Sequence, residues 1–577
     1  MTDMLEAVGP SVALGRDTTM LREILDNTAE RVGKELQDQP EIEAEIRSAL
    51  GNTYRQLGDY DTAEVHLERT VALCRSIHDP EHEDVASSLH DLGHLRSAQG
   101  DYAEAERLYR DVLSRFRRMR GDKPADLATV MTSLGGMLNT TGQYDKAEPM
   151  LREALAMQRE LHDGPHQAVA KSLVTLANLI ENRGQLDEAE QLYREALAMR
   201  RRLSDIDHAG VASILLSLAG LHRTRGDLPA AEGHTREALS VYRKLYGERH
   251  PHVARAMSRL AGILHRRGKY DEAETLHREA LAIQRQALGF EHPSVATSLV
   301  FLGWTLEAKG DEAGAESLYR EALAIRRKTL GDDHPITAVT MSNLAGILVL
   351  QGRFDEAESL YGEALSITRA KVGSENPNVA SLLAALGRLY HNKGDYASAE
   401  VVARESLAIA RKIFGEGHPA VAEALGNVAA ALQYQGKHAE AEPIQREVLA
   451  IMRKQRGDHH PTTATAMNNL ARRLVLLDRL DDARRLYEDA IESVREALSA
   501  GHWITAIFQG NYGECLIKMA RFQDAEDQLL ESHAILEKKR GPDHERTRKV
   551  VGFLVALYEA WNKPEQAAQW RAKLPEE

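Results

Sequence analysis

The chain has 577 residues, of which 43% are hydrophobic and 28% charged, so it can bury a core and does not read as a disordered tail. Its net charge of −14 argues against a general nucleic-acid binder, which needs a basic surface to displace counterions. Cys74 and Cys515 are too few and too far apart for a disulfide framework or a cysteine zinc site, and point to a reducing, cytoplasmic setting.

The first segment, MTDMLEAVGP, has neither a basic start nor an apolar stretch, so it does not read as a secretory signal. No apolar run anywhere reaches the roughly 18 residues of a bilayer span. Residues 1–40 are expected to form an N-terminal segment and a capping helix at about 17–37, with Leu21 where later units carry alanine. From there a strict period takes over. Gly58, Gly100, Gly142, Gly184, Gly226, Gly268, Gly310, Gly352, Gly394 and Gly436 fall 42 residues apart without slippage. Three further steps land on Asp478, Ala520 and Asn562, and an alanine follows five residues after every anchor, from Ala63 to Ala567. A fixed period of this length is the signature of a repeat array.

The unit at 250–289 shows what each repeat encodes. Val253, Ala254, Met257, Leu260, Ala261 and Leu264 recur at three- and four-residue steps, giving a helix with one apolar stripe. Gly268 ends it with a positive φ or a close backbone approach. Asp271 and Glu274 are expected to cap a second helix as a D-x-x-E box, with the same pair at Asp61/Glu64, Asp145/Glu148, Asp187/Glu190 and Asp355/Glu358. Gly289 closes that helix, and His292-Pro293 opens the next unit. Small residues at 93, 135, 177, 219, 261, 303, 345, 387, 429, 471 and 513 mark close helix approach. Residues 41–544 thus read as twelve helical hairpins, and 545–577 as a degenerate capping hairpin and tail, with Val555 and Asn562 at the small-residue and glycine positions. Hairpins this thin must stack to bury their cores, which makes an all-α solenoid of about thirteen hairpins with an N-terminal capping helix.

This order of large apolar, small, glycine, alanine and aromatic positions, with Tyr109, Tyr193, Tyr319, Tyr361 and Tyr487 at the last, resembles the tetratricopeptide repeat. The longer 42-residue unit with LGFEHPSVATSLVFLG at 288–303 is similar to the repeats of kinesin light chain. The resemblance covers about 41–573 and implies a right-handed superhelix. The start, from DMLEAVGP to LGDYDTAE, and the finish, from GHWITAIF to AAQWRAKLP, resemble the tails of bacterial serine/threonine kinases that carry such repeats. The kinase itself is missing: there is no glycine-rich phosphate loop, H-R-D or D-F-G.

The chemistry-bearing residues do not converge on a catalytic set. Ten histidines, His82, His166, His208, His250, His292, His334, His418, His460, His502 and His544, share one repeat position. Helices pack about 8–10 Å apart and zinc needs ligands within about 2 Å, so histidines in successive repeats cannot share an ion. They read as residues of the loop–helix junction. The stretch from Gly262 to Tyr270 superficially resembles a phosphate loop, but its spacing is wrong and Tyr270 replaces the required Ser or Thr. A non-enzymatic chain without metal or cofactor is expected.

The inner groove remains. The resemblance implies that first helices line a concave face. The candidate partner-binding residues there are Asn178, Arg223, Arg259, His265, Arg266, Trp304, Asn343, Arg388, Asn427, Asn469 and Arg472. Asn343, Asn427, Asn469 and Asn511 share one position, and in related repeats such asparagines clamp a peptide backbone. Hairpins five and six carry a cationic run that includes His222, Arg223, Arg225, Arg236, Arg243, Lys244, Arg249, Arg255, Arg259, Arg266, Arg267 and Lys269. It is either a site for an acidic segment or a solvated face of intrahelix pairs. Trp304 sits where other repeats have Gly, Asn or Arg, and could anchor a ligand, whereas Trp503, Trp561 and Trp570 read as cap or core. The function this supports is a scaffold holding a protein or peptide, with no direct nucleic-acid contact. The alternatives are the sensor region of a kinase system and a regulator that holds an effector enzyme such as a protease or nuclease.

Overall fold

A computed structural model describes residues 18–36, 38–119, 123–203, 208–497 and 501–574, so the expectation for residues 1–17 and the side chain of Leu21 lie outside it. The chain divides into two compact units, residues 1–385 and 386–577. Among the described residues there are 27 helices and no strand: one helix, Thr18–Glu35, then thirteen hairpins from Pro40–Gln56 and Tyr60–Ile77 to Glu545–Ala560 and Pro564–Arg571. We number the hairpins one to thirteen; four to eight begin at Gln167, His208, Pro251, Pro293 and Pro335, and ten to twelve at Pro419, Pro461 and Trp503.

Nine of the thirteen first helices start on the repeated histidine, while those of hairpins one and three follow Gln39 and Lys123 without a side-chain cap. The His250 Nδ1 accepts from the His252 N–H at 3.1 Å, and His82, His166, His292, His334, His418, His460, His502 and His544 do the same for the residue two further on. Imidazole here fills the role usually taken by Ser, Thr, Asp or Asn, accepting an orphan N–H of the first turn. Asn376 substitutes in hairpin nine, its Oδ1 2.8 Å from the Asn378 N–H. His208 departs from the rule, since the helix begins on it.

The turn between the two helices has positive φ at every anchor glycine, 75° at Gly58 and 74° at Gly268 for example. Asp478, Ala520 and Asn562, where the glycine is lost, are the positive-φ non-glycine residues of the described chain, at 59°, 56° and 58°. The repeat therefore imposes the left-handed geometry even on residues that pay about 1–2 kcal/mol for it.

The D-x-x-E capping box is not formed. The second helix starts two residues earlier than that pattern requires, so Asp271 lies inside the first turn and Lys269 is the residue that precedes the helix. True side-chain caps come from Asp59, Asp101, Asp227, Asp311 and Asp395, two residues before the expected place. The glutamate instead staples each hairpin to the next. Glu148 pairs with Arg183 at 2.7 Å, Glu190 with Arg225 at 2.6 Å, Glu274 with Lys309 at 2.6 Å, and Glu400 accepts from Gln435 at 2.7 Å.

Small residues permit close packing within a hairpin. A Cβ at Gly303 would sit 2.5 Å from Cε1 of Tyr319, and one at Gly93 would sit 2.8 Å from Tyr109. In the first unit the array also returns on itself. The turns at Gly58, Gly100 and Gly142 lie against His292-Pro293, His334-Pro335 and Asn376-Pro377, and His334 Nε2 lies 3.1 Å from the Ala98 carbonyl oxygen.

Candidate functional site

First helices of successive hairpins touch one another directly, as in the bonds Asn182–Asn139 at 2.9 Å and Asn511–Asn468 at 3.0 Å. Second helices are spanned by long side chains, for example Arg159–Glu195 at 2.6 Å and Arg411–Glu447 at 2.7 Å. Within each unit the first helices therefore share one face, the inner one, and the second helices the other.

In the first unit, the first helix of hairpin six, Pro251–Arg266, presents Arg255, Arg259, Gly262 and Arg266 at steps of four, three and four, which places them on one helical face. Arg223 reaches them from the first helix of hairpin five. Enclosure in the groove, with Arg266 and Arg259 beside it, holds Arg223 below the usual guanidinium value, against the pull of Glu181. Enclosure and Arg255 do the same to Arg259. Arg223, Arg259 and Arg266 form no ion pair with a carboxylate among the described residues, while Arg255 reaches the Tyr242 hydroxyl at 3.2 Å. Nothing lies within 4 Å of a Cβ placed at Gly220 or Gly262, so the cations surround open space.

The rest of the cationic run is occupied differently. Arg225 pairs with Asp187 and Glu190, Arg236 and Arg267 with Glu232, Arg243 with Glu248, and Lys269 with Glu272. His222 is buried and stacks on His234. The run thus divides into paired outer cations and a small inner cluster.

The neighbouring candidates flank this cluster. Trp304 is 42% exposed; its ring lies 5.2 Å from Phe301, and its indole N–H points at Asn343 Oδ1 from 3.4 Å. The Asn343 Nδ2 is enclosed and has no hydrogen-bond partner. The His265 ring packs edge-on to Tyr270, with burial depressing its basicity. Asn178 is less available: its Oδ1 lies 2.5 Å from the Tyr193 hydroxyl.

In the second unit Arg388 is exposed. Asn427, Asn469 and Arg472 line a cavity of about 820 Å³, where Tyr434 and Arg473 join them. Asn511 differs from the other repeated asparagines: it is buried and spends its amide on Asn468. Trp503, Trp561 and Trp570 pack against the core of this unit, as expected. Cys74 and Cys515 are buried, and burial pushes the Cys515 thiol up to about 11, away from thiolate chemistry. The open space at Gly220 and Gly262 was not anticipated from the sequence, because a glycine inside a helix gives no sign of which face it clears.

The fold and its open inner face define a helical repeat scaffold for binding another protein. The tetratricopeptide repeat model matches residues 43–118, 126–202, 169–244, 210–271, 252–328, 313–370, 336–412, 378–454 and 420–496, and a second tetratricopeptide repeat model matches 90–159. The chain belongs to the tetratricopeptide repeat family. No curated protein matches it significantly. Among solved structures it is similar to nearly identical TPR-like repeats of Podosopora anserina, described as those of a kinesin light chain, at 29% identity over 36% of this chain and 98% of that one, with a TM-score of 0.32. BtubC (BKLC) from P. vanneervenii is 27% identical over 40% of this chain and 91% of that one, with a TM-score of 0.33. Rap protein complexed with Competence and Sporulation Factor is 16% identical over 65% of this chain and 99% of its own, with a TM-score of 0.44. No described helix is long and apolar enough to cross a membrane.

Proposed function

We propose that the protein is a non-catalytic scaffold that holds a partner protein on its concave face, and that the first unit takes an acidic segment of that partner. The observation that carries this reading is the cluster of Arg223, Arg259 and Arg266 beside the space left by Gly220 and Gly262, without an ion pair to a carboxylate among the described residues, in a chain of net charge −14. Guanidiniums are forked donors suited to carboxylates, and gain most in an enclosed site. Trp304, 42% exposed, supplies an apolar contact beside them.

The test is titration of fluorescent peptides, one rich in Asp and Glu and one neutral, into the full chain at several salt concentrations. Arg259→Glu with Arg266→Glu should weaken the acidic peptide by roughly 100-fold, since like-charge juxtaposition costs several kcal/mol, and flatten its salt dependence. Unchanged affinity and salt dependence would overturn the placement. Affinity capture with mass spectrometry then identifies the partner: a kinase would place the chain in a signalling system, and a protease or nuclease would make it a holder of that enzyme. Hairpin thirteen, whose second helix is only Pro564–Arg571, follows Trp561 and carries Trp570, supports a capping role for residues 545–577.

A further inference from the structure

One ruler position in the first helices is apolar and buried throughout much of the chain, as Leu221, Ile263, Ile347, Leu389 and Leu557 show. In hairpin eleven that position is Arg473, which is 5% exposed. Its Nε and Nη1 meet no hydrogen-bond acceptor among the described residues. A guanidinium removed from water without a counter-charge is strongly disfavoured, and leucine serves this place elsewhere, so packing does not account for an arginine here.

Arg473 lines the cavity of about 820 Å³ in the second unit, formed by hairpins ten and eleven and closed on one side by His391. Arg472 lies beside it, and Arg456 makes a third cation against a single carboxylate, Glu423. Burial and the Arg472 charge push Arg473 down to about 10, against a smaller opposite pull from Tyr434. Tyr434 forms an aromatic wall: it is 53% exposed, stacks on Tyr396 at 5.2 Å and meets the His391 ring at 4.4 Å. Gln433 and Asn469 add neutral polar groups.

We propose that this cavity binds a phosphomonoester, its phosphate held by Arg472 and Arg473 and its organic group lying against Tyr434. A phosphate monoester carries close to two negative charges and three acceptor oxygens, enough for two forked guanidiniums, whereas one carboxylate offsets only one of them. The site uses none of the residues of the acidic-segment groove, so either reading can fail alone. The ester can be borne by a protein side chain or by a free small molecule, since the chemistry recognised is the same.

Isothermal titration of the full chain tests this with phenyl phosphate, inorganic phosphate and benzoate. Phenyl phosphate should bind with one-to-one stoichiometry, and benzoate at least tenfold more weakly. Arg473→Leu, which installs the residue other hairpins use, should melt at the same or a higher temperature and lose at least tenfold in affinity. Arg472→Gln, at an accessible position, should lose a similar amount and carries the test if the leucine variant does not fold. Tyr434→Ala should weaken phenyl phosphate but not inorganic phosphate. Parallel arms with adenosine monophosphate and a phosphotyrosine peptide distinguish the source of the ester. The proposal is overturned if the unmodified chain binds no phosphate ester, if benzoate matches phenyl phosphate, or if the arginine variants bind within twofold of it.

Discussion

Hairpins four and seven share a pair of side chains that five and six lack, and the pair bears on the charge of the groove. In hairpins four and seven the second helix carries Tyr193 or Tyr319, and the first helix offers Glu181 or Glu307 to its hydroxyl, at 2.9 and 3.1 Å. Burial raises both carboxyls above their usual value. In hairpins five and six Thr235 and His277 take the tyrosine place, while Arg223 and His265 take the glutamate place. Thr235 spends its hydroxyl on the Ala231 carbonyl of its own helix. Without a tyrosine hydroxyl, an enclosed glutamate would lose its donor, which costs about 1–3 kcal/mol. Removing the tyrosine removes the reason to keep the acid, and a cation can stand in its place. The backbone plan is unchanged; the exchange removes the buried acid, while Arg259, Arg266 and the open space at Gly220 and Gly262 make the rest of the face basic.

The strongest way to break this comparison is to convert hairpin six into hairpin seven. His265→Glu with His277→Tyr should restore the internal pair and put an acid next to Arg266. Affinity for the acidic probe peptide should fall by about 30-fold, near 2 kcal/mol, with little change in melting temperature. Retained affinity in titration would show that this pair does not set the groove.

Acid sharpens the same contrast. Burial pushes His277 and His252 of hairpin six to about 4, and the cap histidine His418 of the second unit likewise to about 4. An unfolded histidine titrates near 6.5. As pH falls below that, the unfolded chain takes up protons first, so the stability these groups contribute is complete above pH 6.5 and is lost between 6.5 and about 4. Protonation of Nδ1 also removes the acceptor that caps nine of the first helices. Glu307 runs the opposite way: its raised carboxyl favours the folded state at pH values below the unfolded one and loses that advantage as pH rises. Melting curves from pH 7.5 to 4.5 should fall steadily, and less so in the His265→Glu, His277→Tyr variant. A flat profile would contradict the buried neutral histidines.

In hairpin four the tyrosine can be tested alone. Tyr193→Phe keeps the ring and removes the hydroxyl shared by Glu181 and Asn178. Chemical denaturation should show a loss of about 1–2 kcal/mol, with acidic-peptide affinity unchanged, because hairpin four is already closed.

Much of this architecture is legible in the sequence, and the rest is hidden for identifiable reasons. The 42-residue ruler locates the hairpins, and it places Asp478, Ala520 and Asn562 in a geometry their side chains disfavour. It also locates the histidines at the helix starts. It fails at the D-x-x-E pattern, because a glutamate in a first turn looks the same whether it bonds its own backbone or Arg225 of the next hairpin. The same ambiguity hides which arginines of hairpins five and six are paired, since partners such as Glu190 and Glu232 come from a neighbouring hairpin or the same helix according to packing. Arg473 was visible as a charge at an apolar ruler position, but its missing partners and its cavity appear only in three dimensions.

The smallest effect separates two glycines at adjacent ruler positions. Gly262 and Gly303 both lie inside first helices, in hairpins six and seven. At Gly262 an added Cβ meets nothing within 4 Å, and at Gly303 it meets Tyr319 at 2.5 Å. Alanine at 262 should therefore raise stability by up to about 1 kcal/mol through helix propensity alone, and leave acidic-peptide binding intact because a methyl barely fills the space. Alanine at 303 should destabilise by about 1–3 kcal/mol, because Tyr319 must move within a packed layer. Equilibrium denaturation of the two variants gives the signs directly. If both destabilise, the space beside Arg259 and Arg266 is filled by protein in solution, and a ligand has no room there. If Gly262→Ala stabilises while Gly262→Tyr folds but no longer binds the acidic peptide, the gap is the ligand's place, and the glycine is kept there at the expense of the helix that carries it.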